Sequence, residues 1–367
     1  MQLIIKTNDL RLKILNEISN LNADRVYIYG NGTYSRIIRE FLQTEGKFQG
    51  WIRTIVDDEF YFVEETSSIP FSQFMKMEEE KVPIIFGFYN YKVIQKKKEE
   101  LSSKFCCLYD FHFTVVNGKR LYWDAILAKE RQTAYQQTYA MLSDVQSRKV
   151  MQLYLNAATV GEFHELFSQC YEEPSYFNHI TQNLKVDTLI DCGAYDGDTV
   201  HDFVTVFPNY KRIIAIEPDP LNYEKLSCRK ERENIRDLFI VRKGVGACNG
   251  CVHFQVNGSS NSYQAESGNS EIQITTLDAF GDDTIGTVML KMDIEGAELD
   301  ALHGAQNLIK EQTPVLAICV YHKEEDLIEI PQFINKTVGN DVYDYFLGFH
   351  GLDLAELVFY AIPKRIT

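Results

Sequence analysis

The chain is short of positive charge. Its 37 lysines and arginines stand against 52 acids, a formal net charge of −15 over 367 residues. Nucleic acids and anionic membranes call for a basic surface that displaces counterions, so the balance excludes them and leaves a small molecule or glycan as the expected partner. Long apolar runs are missing too: no stretch approaches the roughly 18 residues of a membrane-spanning helix. The opening MQLIIKTNDLRLKIL lacks the charge, apolar stretch and cleavage site of a secretory leader. A cytoplasmic protein with no membrane insertion is expected, with a homo-oligomer left open. The eight cysteines lack a metal-binding pattern. Cys248 and Cys251 form one C-x-x-C with neither a second pair nor histidines at matching spacing, so no zinc site is expected. Cys170, Cys192 and Cys319 fall in apolar segments and read as buried, reduced thiols.

What is present is ordinary globular composition, 45% hydrophobic and 24% charged. The length exceeds the usual single domain of about 100 to 200 residues, so two domains are expected. The chain is organised around VDTLIDCGAYDGDTVHDF, residues 186–203. Leu189 and Ile190 form a short apolar run, Gly193 and Gly197 punctuate a turn, and Val200, Phe203, Val204 and Phe207 recur at helical spacing. This reads as strand, loop and helix. Glycine at a strand's carboxyl end lets a ligand approach the backbone, and Asp191 places a carboxylate at the same point. A second apolar run, Ile213 to Ile216, ends in Glu217, 26 residues after Asp191. An acid ending the second strand of a βαβ unit can accept both ribose hydroxyls, a logic shared by dinucleotide and S-adenosylmethionine enzymes.

Five blocks in order, DCGAYDGDT, AIEPD, ITTLDAF, KMDIEGAE and YHKEEDLIEIP, cover roughly residues 152–364. Together they resemble the FkbM-type methyltransferases, a branch of the class I, Rossmann-like S-adenosylmethionine-dependent enzymes. The resemblance implies an α/β fold with a seven-stranded doubly wound sheet whose last strand is antiparallel. It also implies S-adenosylmethionine as cofactor, held by Asp191, Gly193, Ala194, Tyr195, Gly197, Asp198 and Thr199 of the first block and by Glu217, Pro218 and Asp219 of the second. Gly244 and Val245, at the end of DLFIVRKGVGA read as a third strand, would seat the adenine. Asp293 of the KMDIEGAE block would serve both cofactor and chemistry.

Ahead of these blocks, RVYIYGNGTYSRIIREFL repeats the strand-turn-helix pattern, with Gly30 and Gly32 in the turn and Ile37, Ile38, Phe41 and Leu42 on the buried helix face. FQGWIRTIVDD and VPIIFGFYN supply two more strands. Residues 1–110 therefore read as a smaller Rossmann-like α/β domain, loosely similar to the amino-terminal domains of some glycan-modifying and sugar-nucleotide proteins. Ser35 stands at the third glycine position and no acid clearly closes the second strand, since Asp57 and Asp58 follow Thr54. Nicotinamide binding there is not expected. Residues 111–183 read as a helical connector and lid, with Tyr176 and Phe177 facing either the cofactor pocket or plain packing. Residues 184–367 read as the methyltransferase domain that the resemblance implies.

His322 and His350 both come at strand ends on the side where open α/β sheets bind ligands. Histidine, with an ordinary pKa near 6.5, suits proton acceptance at neutral pH better than aspartate, so His322 is read as the base, with Asp293 orienting the acceptor, holding the imidazole's tautomer or contacting the donor's amino end. Ser262, Glu295, Tyr321 and His350 are candidates for the acceptor side. The transfer itself requires no metal and none is assigned, although Asp293 and Glu295 could hold one. The expected activity is O-methylation of a sugar, glycan precursor or related metabolite. The alternatives are an NAD(P)-dependent oxidoreductase and a non-catalytic scaffold that binds sugar nucleotides.

Overall fold

The computed structural model describes residues 3–366 apart from 22, 61–67, 79, 80, 117, 118, 122, 124, 257, 259–262 and 265–267. Two large sheets dominate them, one parallel and one mixed, in line with the α/β class read from the sequence.

The first sheet uses β1 (Arg25–Tyr29), β2 (Trp51–Val56), β3 (Ser68–Pro70), β4 (Ile84–Phe86) and β5 (Leu108–Asp110). Their order is β3-β2-β1-β4-β5 and every pairing is parallel. β3 and β5, each three residues long, add to the three strands legible in the sequence. The helix Thr33–Thr44 follows β1 and buries Tyr34, Ile37, Ile38, Phe41 and Leu42 on the one stripe that 3.6-residue periodicity allows.

The segment 111–183 is helical as expected, but it opens with a hairpin of β6 (Thr114–Val116) and β7 (Lys119–Leu121). Its helix Val145–Val160 packs along an edge of the second sheet, with the Tyr154 hydroxyl donating to the Leu354 carbonyl at 2.9 Å. The segment braces that edge; only Ser175, Tyr176 and Phe177 of its later residues reach the central cavity.

In the carboxy-terminal half, β8 (Thr188–Cys192), β9 (Arg212–Ile216) and β10 (Leu238–Val241) come first. A small four-stranded sheet follows, made of β11 (Gly244–Val245), β12 (Gly250–Gln255), β13 (Tyr263–Gln264) and β14 (Ser270–Thr275). Then come β15 (Val288–Met292), β16 (Val315–Cys319), β17 (Tyr343–Phe349) and β18 (Leu357–Pro363). The large sheet has the order β10-β9-β8-β15-β16-β18-β17, and β18 runs antiparallel to both its neighbours. All five residues of β8, β15 and β16 are buried, as in a sheet covered on both faces. DLFIVRKGVGA is not one strand: β10 stays in the large sheet, whereas β11 pairs with β14 in the small one. One continuous apolar core runs from Leu3 through both large sheets to Ile362.

Candidate active site

The loops after β8, β9 and β15 open on a cavity of about 950 Å³. Gly193, in the turn after β8, has φ +76°. A Cβ there would stand 1.9 Å from the Asp293 carbonyl oxygen, so the neighbouring strand end already demands glycine before any ligand arrives. Two residues on, the Tyr195 N–H donates to one oxygen of Glu217 at 2.9 Å. The Asp219 N–H donates to the other oxygen, also at 2.9 Å. A carboxylate oxygen can accept twice, so Glu217 keeps an acceptor position on each oxygen while lining the cavity. Burial pushes its carboxyl up to about 7, against the pull of the two N–H donors.

Asp198 and Thr199 at the following helix start, and Pro218 beside Glu217, line the same cavity. Gly244 and Val245 do so from the small sheet, where Val252, Phe254, Ile272 and Ile274 extend an apolar wall. These residues sit at alternate positions of β12 and β14 and share a face, which suits a flat, weakly polar ring.

Four residues expected at the cofactor stand behind the cavity wall. Asp191 is fully buried in β8 directly opposite Lys291 of β15, and the two form an ion pair at 3.1 Å. Burial pushes Asp191 up to about 6, opposed by the lysine. The Lys291 ammonium also donates to the Gly193 carbonyl at 2.9 Å and does reach the cavity, so Asp191 acts through it. Ala194 is buried within the turn. Gly197 starts the helix Asp198–Val206 at φ +87°, against Leu226 and Arg229. Asp219 caps the helix Pro220–Glu233, accepting from the N–H groups of Leu221 and Asn222.

The second half of the cavity is built where β15 and β16 end side by side. Asp293 accepts from the Tyr176 hydroxyl at 3.1 Å and the Tyr321 hydroxyl at 3.3 Å, which gives Tyr176 a polar role beyond packing. Around His322, Nε2 lies 3.5 Å from Asp293 and 3.8 Å from Glu295, and Nδ1 lies 3.0 Å from Glu298. Burial alone would lower the ring's pKa, but these carboxylates outweigh it and push it up to about 10. An imidazolium has no lone pair for an incoming proton, which argues against the base role read from the sequence. Glu295 is better matched: burial, with Asp293 and Glu298 nearby and His322 opposing, pushes it up to about 7. Its backbone is left-handed, φ +58°, an uncommon conformation for a residue with a Cβ.

Glu298 reads from the sequence as one of three carboxylates, with Asp293 and Glu295, gathered at a strand end to meet a cation, an acceptor hydroxyl or backbone donors, whereas Lys291 and Glu356 carry no role there. Lys291 sits in the KMDIEGAE block, two residues before Asp293. Glu356 lies in a loop with no pattern, yet it lines the cavity, and burial pushes its carboxyl up to about 8. His350 does not reach the cavity. Its ring is buried between the Glu172 carbonyl at 2.9 Å and the Tyr360 hydroxyl at 2.8 Å. Ser262 lies outside the described residues.

The amino-terminal sheet contributes as well. Thr33 and Tyr34, at the helix start beyond the Gly30–Gly32 turn, and Tyr89, beyond β4, line the cavity. β2 ends at Val56, so Asp57 does close the second strand, contrary to the sequence reading. Its carboxylate accepts from the Tyr29 hydroxyl and, at 2.9 Å, from Lys97. No helix among the described residues is long and apolar enough to cross a membrane.

Residues 191–345 match the family described as Methyltransferase FkbM domain. The crystal structure of methyltransferase FkbM from Methylobacillus flagellatus KT superposes with a TM-score of 0.71 at 19% identity. The alignment covers 95% of this chain and 93% of that one, so the likeness in fold includes the amino-terminal sheet. Precorrin-6y C5,15-methyltransferase from Geobacter metallireducens GS-15 aligns over 53% of this chain and 93% of its own, at 12% identity and a TM-score of 0.32. Aeropyrum pernix fibrillarin, solved with S-adenosyl-L-methionine, aligns over 49% and 67%, at 10% identity and a TM-score of 0.32. At those scores the last two add nothing to the first. No curated protein sequence matches the chain. The chain thus has a methyltransferase fold, and its residues 191–345 carry the match to the FkbM methyltransferase domain.

Proposed function

We propose that this protein is an S-adenosylmethionine-dependent O-methyltransferase acting on a hydroxyl of a sugar, glycan precursor or related small metabolite. The observation that carries this reading is Glu217, a buried carboxylate fixed by two backbone N–H groups and still able to accept two ribose hydroxyls on the cavity side. The apolar wall from Val245 to Ile274 would take the adenine. S-adenosylmethionine supplies an electrophilic methyl group on a sulfonium, and the carboxylate-lined end of the cavity suits that positive charge. A volume of about 950 Å³ is near the upper limit for one drug-sized ligand, which favours a donor and an acceptor bound together.

Glu295 takes the acceptor's hydroxyl proton as the acceptor oxygen bonds to the methyl carbon and the carbon–sulfur electron pair stays with sulfur. Holding the two reactants in line is the larger part of the task. Thr33, Tyr34 and Tyr89 support a division of labour in which residues 1–110 recognise the acceptor, 111–183 connect, and 184–367 hold the donor. S-adenosylhomocysteine release is the assay, run across a panel of sugars and glycan precursors. Glu295→Gln should lower kcat on an active acceptor by about 10²- to 10⁴-fold with S-adenosylhomocysteine affinity unchanged. Absence of turnover on every hydroxyl acceptor, together with no S-adenosylhomocysteine binding, would overturn the reading.

A further inference from the structure

The ends of β15 and β16 gather more negative charge than one imidazole balances. Asp293, Glu295 and Glu298 all face His322, at 3.5, 3.8 and 3.0 Å. Lys323, next in sequence, points its ammonium to the Gly296 carbonyl. Both ring nitrogens of His322, and Oε2 of Glu298, are buried without a hydrogen-bond partner. The Glu298 contact to Nδ1 is close but off the line a hydrogen bond needs. The His322 side chain is 1% exposed and that of Glu298 0%. Unpartnered groups at that depth are costly and rare, and each calls for an explanation.

We propose that Asp293, Glu298 and His322 bind a divalent metal ion. One ligand atom from each of the three lies within 4.8 Å of the others. Metal bonds of about 2.0 to 2.2 Å put tetrahedral ligands roughly 3.4 Å apart, close to the His322–Asp293 separation already present. Only one ring nitrogen can bind the ion: Asp293 already faces Nε2, so Glu298, which faces Nδ1, must turn toward it. One imidazole and two carboxylates suit Mn²⁺ or Zn²⁺ better than Ca²⁺ or Mg²⁺, which prefer oxygen alone. A cation here takes the place of the His322 proton as the charge that balances the carboxylates. Three protein ligands leave a position open toward the cavity, as in catalytic rather than structural sites.

The location differs from the sequence reading, which considered Asp293 with Glu295. Glu298 and His322 form the buried back of the site, and Glu295 stays free beside it. The role, though not the site, rests on the proposed methyl transfer: an acceptor oxygen bound to the ion would be a more acidic hydroxyl.

Isothermal titration of the full chain with MnCl₂, ZnCl₂ and MgCl₂, each alone, tests the site. One Mn²⁺ or Zn²⁺ should bind per chain, at least tenfold tighter than Mg²⁺. Glu298→Gln and Asp293→Asn should each weaken binding tenfold or more, with folding checked by circular dichroism. Asp293→Asn, at the partly exposed position, covers the case in which Glu298→Gln fails to fold. No saturable binding of any of the three ions by the wild type, or undiminished binding in the folded variants, would overturn the site. A parallel titration with S-adenosylhomocysteine separates the two ideas. Donor-product binding without metal binding removes the ion alone, and the reverse result removes the methyl-transfer reading alone.

Discussion

The molecule contains the same device twice. In each half a strand delivers a glycine turn, a helix leaves it, and the next strand ends in an acid: Asp57 after β2 and Glu217 after β9. The two acids have different fates. Glu217 is held by backbone N–H groups, which fix the carboxylate and leave acceptor positions on the cavity side. Asp57 accepts from the Tyr29 hydroxyl and the Lys97 ammonium on a single oxygen, Oδ1, and does not line the cavity. Partial burial pushes Asp57 up, but those two partners win and hold it below the usual carboxylate range. The topology supplies a place for an acid; its surroundings decide whether that acid faces the cavity.

The comparison can be broken most severely at Gly193. Gly193→Val adds a Cβ 1.9 Å from a backbone oxygen at φ +76°, so the turn must move and S-adenosylhomocysteine binding should be lost, as calorimetry would read. Retained affinity would mean that the turn does not seat the donor. Glu217→Ala comes next. Two hydrogen bonds to a charged group, at about 1.5 to 3 kcal/mol each, imply a loss in affinity of 100-fold or more. A loss below tenfold would move the ribose contact elsewhere.

The pH dependence sharpens the contrast further. Glu217 has an ordinary value of 4.5 and is pushed up to about 7. A raised carboxylate means that the folded state holds the proton more tightly than the unfolded chain. Its contribution to stability is full below 4.5 and is lost as pH rises toward 7. Ligand hydroxyls need the ionised form, so S-adenosylhomocysteine affinity should fall about tenfold per unit below pH 7. Glu217→Gln should flatten that limb, and an unchanged slope in the variant would assign the proton to another group. Smallest of all is Asp57→Ala. It should leave donor-product affinity within about twofold and lower stability by no more than about 1 kcal/mol, read by thermal melting. A tenfold loss of affinity would show that the amino-terminal turn also serves the donor.

Much of the proposed donor side was legible as structure because it depends on local order. Apolar runs, glycines and a trailing acid lie within some 30 residues, and hydrogen bonding along the chain turns them into β8, its turn and β9. The acids at positions 191 and 219 were legible as residues but not as roles. Asp191 alternates inward in a strand and meets Lys291 only because β8 and β15 are neighbours in register. Asp219 caps its own helix, a local arrangement that the block pattern obscured.

The sequence by itself determined the class of fold, the places of the glycine turns and the strand ends where acids gather, because strand and helix periodicity and turn chemistry act over short distances. Tertiary structure alone decided which of those acids faces the cavity. Glu298 meets His322 across two strand ends, Glu356 arrives from a loop far along the chain, and Tyr34 and Tyr89 come from the other sheet. Charge and burial at such a meeting point depend on every element that converges there. His322 accordingly changes from a free histidine suited to act as a base into a buried ring that three carboxylates surround.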